Sequence, residues 1–253
     1  AQLLAEVQAW IADDPDPKTA AELSKLIETG DEETLKKFFA GFLQFGTAGL
    51  RGPIGPGPSC MNRAVVGRTA AGISAYMKER GMKRVVIGRD ARYGSEDFTE
   101  ESAQIFSGAG FEVFVLPRPL PTPVLAFATH DLKCDVGVMV TASHNPPQDN
   151  GYKVYLGGQI GCSQLIAPQD KQIAALIDEI AKETKFSEIP KSQNIETLGQ
   201  DDIDKYVARA AVLVGSDATG RKNLRITYTA MHGVGYRVMK AVFDATGFAF
   251  SSV

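Results

Sequence analysis

One segment of the chain gathers residue types that do chemistry: Thr141-Ala142-Ser143-His144-Asn145-Pro146-Pro147, followed at short range by Asn150, Gly151 and Lys153. Ser143 follows the apolar run Val136 to Val140, so its hydroxyl stands on a turn leaving a buried strand. Pro146 and Pro147 exclude helix and lower the entropy of the loop, which holds the serine in place. A serine is a weak nucleophile by itself and needs a base or an electrophilic partner. His144 and Lys153 are the groups at hand. Two further loops follow apolar runs: Gly88-Arg89-Asp90-Ala91-Arg92, and Pro117-Arg118 onward to Thr122-Pro123. Ligand loops of parallel α/β sheets lie beyond the carboxyl ends of the strands. Arg89, Arg92, Arg118 and Lys153 therefore share one rim, and cations gathered at one place in an acidic chain point to an anion such as phosphate.

Other chemistries fit less well. The serine is not flanked as G-x-S-x-G, so a hydrolase nucleophile elbow is absent. His144 is adjacent in sequence and badly placed as its base, and His130 and His232 could help only by folding close. Neither a Walker A motif nor a strand-linked G-x-G-x-x-G is present. Cys60, Cys134 and Cys162 are too scattered for a disulfide framework or a zinc ribbon, and read as reduced, cytoplasmic thiols. With 30 acidic against 27 basic residues and a net charge of -3, the chain is a poor candidate for general nucleic-acid binding, which needs a basic face. No apolar run is long enough to span a membrane, and the N-terminus has no cationic secretory n-region. Oligomeric state is not readable.

The positioning elements read as follows in the 253-residue chain, 44% hydrophobic and 23% charged. Residues 3–29 spell two helices broken at Asp14-Pro15-Asp16-Pro17, and Asp31 caps a third that buries Leu35, Phe38, Phe39 and Phe42. Residues 46–58 are dense in Gly and Pro and read as irregular. A helix over 63–80, a strand at 85–88, a helix capped by Ser95, a strand at 111–116, a helix opening at Thr122-Pro123 and a strand at 136–140 alternate as a parallel α/β unit does. Asn150-Gly151 reads as a turn into a strand at 152–156, and a helix covers 168–183. Residues 184–200 read as a linker. A helix near 202–214, a strand at 224–229, a helix at 236–246 and a strand from 248 repeat the grammar without closing a core.

The quoted motifs have a family resemblance. TASHNPPQDNGYK resembles the active-site loop of the α-D-phosphohexomutases, the phosphoglucomutase/phosphomannomutase superfamily. FGTAGLRG at 45–52 resembles its N-terminal signature in the form found in bacterial phosphoglucomutases and phosphopentomutase-like members. VVIGRDAR at 85–92, PTP at 121–123 and TAMHGVG at 229–235 match in type and order. The resemblance implies a mixed, largely parallel sheet flanked by helices, with an N-terminal helical extension (1–42), a first domain carrying the serine loop (43–190) and the start of a truncated second domain (191–253).

It also implies a phosphate shift between C1 and C6 of a hexose, glucose first, or C1 and C5 of a pentose, through a phosphoserine and a sugar bisphosphate. Mannose specificity, or a non-catalytic sugar-phosphate-binding module of the same fold, are the alternatives. By resemblance Ser143 carries the phosphoryl group, Arg51 and Lys153 neutralise it, and His144 supports or handles protons; Arg92, from its place on the cationic rim, is a further phosphate-binding residue. Mg2+ would bind the phosphoserine and a D-G-D-x-D loop. That loop is missing here: Asp201-Asp202-Ile203-Asp204 has the wrong spacing. The sequence thus reads as a fragment expected to lack turnover alone. The turn at Met231 to Gly235 reads as structural.

Overall fold

A computed structural model describes residues 2–158, 161–215 and 219–253. The chain opens with α1 (Gln2–Asp13), α2 (Pro17–Thr29) and α3 (Glu32–Phe38). Asp16 caps α2 by accepting from Lys18 N, and Gly30 ends it at φ 68°, a conformation that only glycine adopts cheaply. Val7, Leu23 and Leu35 form a small core of their own, with Trp10 and Phe39 packed against it. Phe42, expected inside, is 40% exposed because α3 ends at Phe38 and the chain turns away.

The principal sheet contains β1 (Leu50–Pro53), β2 (Arg84–Arg89), β3 (Glu112–Val115), β4 (Val136–Val140), β5 (Asp149–Leu156), β6 (Ser163–Gln164) and β7 (Ile195–Thr197). Its order among the described residues is β1-β5-β4-β2-β3-β7, with β6 on the end of β5. The β4-β2-β3-β7 part is parallel, and β5 runs antiparallel to both β4 and β1. Helices α4 (Arg63–Glu79), α5 (Ser95–Gly108) and α7 (Gln169–Glu183) enclose one core with Leu50, Ile87, Val138, Val140 and Tyr152. On the other face α6 (Thr122–Asp131) and α8 (Gln200–Ala211) cover Val86, Phe114 and Met139. This is the mixed, largely parallel α/β architecture expected.

Four local expectations are corrected. The Gly/Pro-rich stretch is not wholly irregular: Leu50–Pro53 joins the sheet as an edge strand, where a terminal proline does no harm. Asn150-Gly151 is no turn; both lie within β5, opposite Gly52 and Arg51. Ser95 does not cap α5. Gly94 holds that position at φ 73°, and the Ser95 hydroxyl donates to Asp90 at 2.8 Å. The polar stretch 184–200 is not a free linker: Phe186 and Ile189 are buried and Ile195–Thr197 extends the sheet.

Beyond it, β8 (Thr227–Tyr228), α9 (Tyr236–Thr246) and β9 (Ser251–Ser252) make a parallel β-α-β unit, and Val238 of α9 reaches the second core.

Candidate active site

β4 is buried throughout, so the chain emerges from it at Thr141 on a firm base. Thr141 N donates to Gly151 O at 3.0 Å, which ties the start of the loop to β5. The Thr141 Oγ1 accepts from Ser143 N at 3.0 Å, closing a tight turn. Ser143 sits at φ 60°, a left-handed conformation that an L residue other than glycine holds at a cost of about 1–2 kcal/mol. Such strain persists where the surroundings over-determine it, and it concentrates at functional sites. The residue is exposed, as is His144, so the hydroxyl faces solvent at the rim.

Alternation on the strands decides where the cations stand. Leu50 and Tyr152 point into the first core, so Arg51, Gly151 and Lys153 share the opposite face. Arg51 pairs with Gly151, which makes Lys153 its diagonal neighbour at about 7–8 Å between backbone positions. Gly151 keeps this corner open: a Cβ there would lie 2.6 Å from Thr141 O, 2.8 Å from Leu50 O and 3.2 Å from Arg51 Cγ. Gly49 does similar work at φ 76°, since a Cβ would fall 1.8 Å from Tyr152 O. The GTAGLRG segment thus lies backbone to backbone on β5 and delivers Arg51 to the serine's rim.

Electrostatically the corner is unbalanced. Arg51 Nε is buried without a hydrogen-bond partner. Neither Arg51 nor Lys153 forms an ion pair among the described residues. Burial pushes the Lys153 ammonium below its ordinary value of 10.5, and the Arg51 charge pushes it further, against a smaller pull from Asp90. An anion placed here would satisfy the orphan donor and relieve the repulsion together. Arg118 is a third rim cation without an ion pair among the described residues, whereas Arg89 is held by Glu96 at 3.0 Å.

Arg92 is placed differently from the anion-facing role expected of it. Its guanidinium points into the serine loop and meets backbone carbonyls and Asp90, with the side chain as a whole 16% exposed. Sequence reasoning passed over Asp90, Ser95 and Asn150. The buried Asn150 donates to Tyr93 O at 2.8 Å and to Ser95 Oγ at 3.0 Å, and accepts from Gly151 N at 2.7 Å. A signal was present in the spacing of Asp90 and Ser95 around Arg92.

A cavity of about 390 Å³ lies apart from this rim, lined by Trp10, Phe39, Phe42 and Arg68. Its cation is already paired with Asp13 at 3.0 Å, so it does not compete as the anion site. Among the described residues no three His, Cys, Asp or Glu converge on a metal position. The two carboxylates beside the loop are engaged: Asp90 by Ser95, Arg92 N and Arg92 Nε, and Asp149 by Asn145 Nδ2 at 3.0 Å. These residues do not form a Mg2+ centre on their own.

The turn at 229–233 has the same construction as the serine loop. Met231 has φ 51°, its N–H donates to Thr229 Oγ1 at 3.0 Å, and Gly233 N donates to Ala230 O at 2.8 Å. The serine loop has Asn145 N to Ala142 O at 3.1 Å in the corresponding place. T-A-S-H and T-A-M-H are one turn built twice, with an 82% exposed methionine where the first has its serine.

Residues 43–184 match the family model for phosphoglucomutase/phosphomannomutase, α/β/α domain I. A Haemophilus influenzae protein carrying the phosphomannomutase name is 44% identical over 188 residues, covering 74% of this chain and 38% of its own length. The phosphopentomutase of Mus musculus is 33% identical over 269 residues, covering 97% of this chain and 42% of its own. A crystal structure from Thermus thermophilus, also under the phosphomannomutase name, superposes with a TM-score of 0.65 at 26% identity, over 84% of this chain and 46% of that one. The chain therefore spans about two fifths of the length of these curated relatives. The serine turn, the β1 arginine and the strands β1, β5 and β4 that join them all fall inside the matched segment, and on this ground the chain belongs to the phosphoglucomutase/phosphomannomutase family.

Proposed function

We propose that the protein is a phosphosugar mutase and that Ser143 is its phosphoryl carrier. What supports this most is the juxtaposition of a strained, solvent-facing serine with Arg51 and Lys153, two cations that lack a counter-ion among the described residues. Phosphoryl transfer demands positioning and charge neutralisation more than covalent help from the protein.

In the forward half, the bond from Ser143 Oγ to phosphorus breaks and a bond from phosphorus to a substrate hydroxyl forms. The hydroxyl gives up its proton, and the serine oxygen regains one. In the second half the sugar bisphosphate turns over and returns its other phosphoryl group to Ser143. Arg51 and Lys153 hold the equatorial oxygens as charge spreads over them. His144, exposed beside the serine, supports proton movement. Residues 43–190 carry this chemistry and 1–42 pack against them; β7 and α8 still belong to the layers of the principal sheet, so the second unit begins after α8.

Glucose 1-/6-phosphate is the substrate the GTAGLRG signature favours. The phosphopentomutase and phosphomannomutase relatives keep ribose and mannose phosphates as the competing arms. Mg2+ and a sugar 1,6-bisphosphate activator belong to the same proposal, as does a cytoplasmic setting with Cys60, Cys134 and Cys162 free. The test is isomerisation by the intact protein of glucose 1-phosphate, mannose 1-phosphate and ribose 1-phosphate, each with its bisphosphate. Conversion of one sugar, lost in Ser143→Ala, supports the reading. Release of inorganic phosphate without isomerisation would make the protein a phosphatase instead.

A further inference from the structure

The serine turn holds an unfavourable conformation on the loop 141–148 between β4 and β5, and something must fix it there. The prolines stiffen the loop but make no cross-link. Arg92 does. One Nη donates to Ser143 O at 3.1 Å and Asn145 O at 2.8 Å, and the other donates to Pro146 O at 2.8 Å and Asp149 O at 3.0 Å. The Nε side faces Asp90 Oδ2 at 3.3 Å, and Asp90 Oδ1 accepts from Arg92 N at 3.0 Å and from Ser95 Oγ at 2.8 Å. Asp90 N in turn donates to Val140 O at 3.1 Å, the last residue of β4 before the loop. The half-buried guanidinium therefore bridges four carbonyls along the loop to the end of the β2 strand.

We infer that Arg92 is a positioning residue, a clamp that fixes the carbonyl of Ser143 and so the direction of its hydroxyl, and that it is not a phosphate ligand. Five donors in a rigid planar fork make this possible. A lysine ammonium, with three donors on one atom, cannot reach four carbonyls spread along the loop. The direction of the Oγ matters because in-line transfer tolerates little misplacement: an error of about 1 Å can cost about a hundredfold in rate.

The catalytic part of this inference rests on the mutase reading, but the clamp does not. The experiment keeps them apart by measuring Arg92→Lys and Arg92→Ala in the intact protein in two ways. Amide hydrogen exchange should accelerate at residues 143–149 in both variants, while α4 and α7 keep their protection. In the sugar-phosphate assay kcat should fall about a hundredfold with KM within about twofold, and added guanidinium ion should restore part of kcat in Arg92→Ala. Unchanged exchange at 143–149 would overturn the clamp whatever the activity. A raised KM with kcat kept, and kept better by lysine than alanine, would overturn it in favour of direct phosphate binding. Faster exchange in the variants of a protein whose wild type isomerises no sugar phosphate would leave the clamp standing and remove the mutase reading.

Discussion

At Arg51 and Lys153 two positive charges sit as diagonal neighbours on one sheet face, and burial first, then the Arg51 charge, holds the Lys153 ammonium below its ordinary value. Replacing Arg51 by alanine removes the like charge, so Lys153 should titrate closer to its ordinary 10.5. An NMR pH titration of the lysine side chain reads this directly. Between the lowered value and about 10.5 the unfolded chain holds a proton that the folded chain has released, so wild-type stability rises with pH through that window. The variant should show less of that rise. It should also lose about 100- to 1,000-fold in phosphoryl transfer, as when one preorganised donor is removed from a transition state. Its melting temperature should stay close to wild type, because Arg51 makes no ion pair among the described residues. A large drop in melting temperature would make Arg51 a structural residue instead.

At the scale of elements, glycines decide whether the strands can come together. Gly49→Ala should destabilise the protein by more than about 1 kcal/mol, since the new Cβ meets the Tyr152 carbonyl and the backbone is left-handed there. Denaturant melts measure the loss, and a variant as stable as wild type would mean that the GTAGLRG segment is not docked on β5. The same elements show what the sequence disclosed and what it hid. Helix ends were legible where one residue acts alone, as at Asp31, whose side chain caps α3 by accepting from Thr34 N. Ser95 misled because its hydroxyl had a stronger claimant in Asp90, ahead of the helix. Asn150-Gly151 misled because a turn signal also suits a strand whose neighbour needs a side-chain-free position. Residues 50–53 hid their strand among glycines and prolines, since an edge strand needs only one paired side. The serine and Lys153 were legible from type and spacing, whereas Arg51 was reached only through the family resemblance. The role of Arg92 was not, because a guanidinium beside a phosphate site looks the same in sequence whether it faces the anion or the loop.

Over the whole molecule, the N-terminal helices are fastened to the sheet domain through Asp13. It accepts from Arg68 Nη2 at 3.0 Å, from Phe186 N at 2.6 Å and from Ser187 N at 3.2 Å. Arg68 is buried, stacked 4.8 Å from the Trp10 ring centroid and 5.8 Å from that of Phe186. Asp13→Ala leaves that charge without its partner, which should cost about 3–5 kcal/mol by denaturant unfolding. Because Asp13 lies on the α4 and α7 side of the sheet, Ser143 chemistry in the variant should survive below its melting temperature. Asp13→Asn, which keeps some of the hydrogen bonds, should lose less.

The central claim concerns one oxygen atom, so the most direct measurement is the phosphoryl occupancy of Ser143 in the intact protein, by whole-protein and peptide mass spectrometry. The account predicts a single phosphoryl group on Ser143 in the resting protein, lost to a sugar monophosphate, regained from the bisphosphate, and absent from Ser143→Ala. A protein that isomerises its sugar phosphate at full rate with Ser143 unmodified at every stage would contradict it.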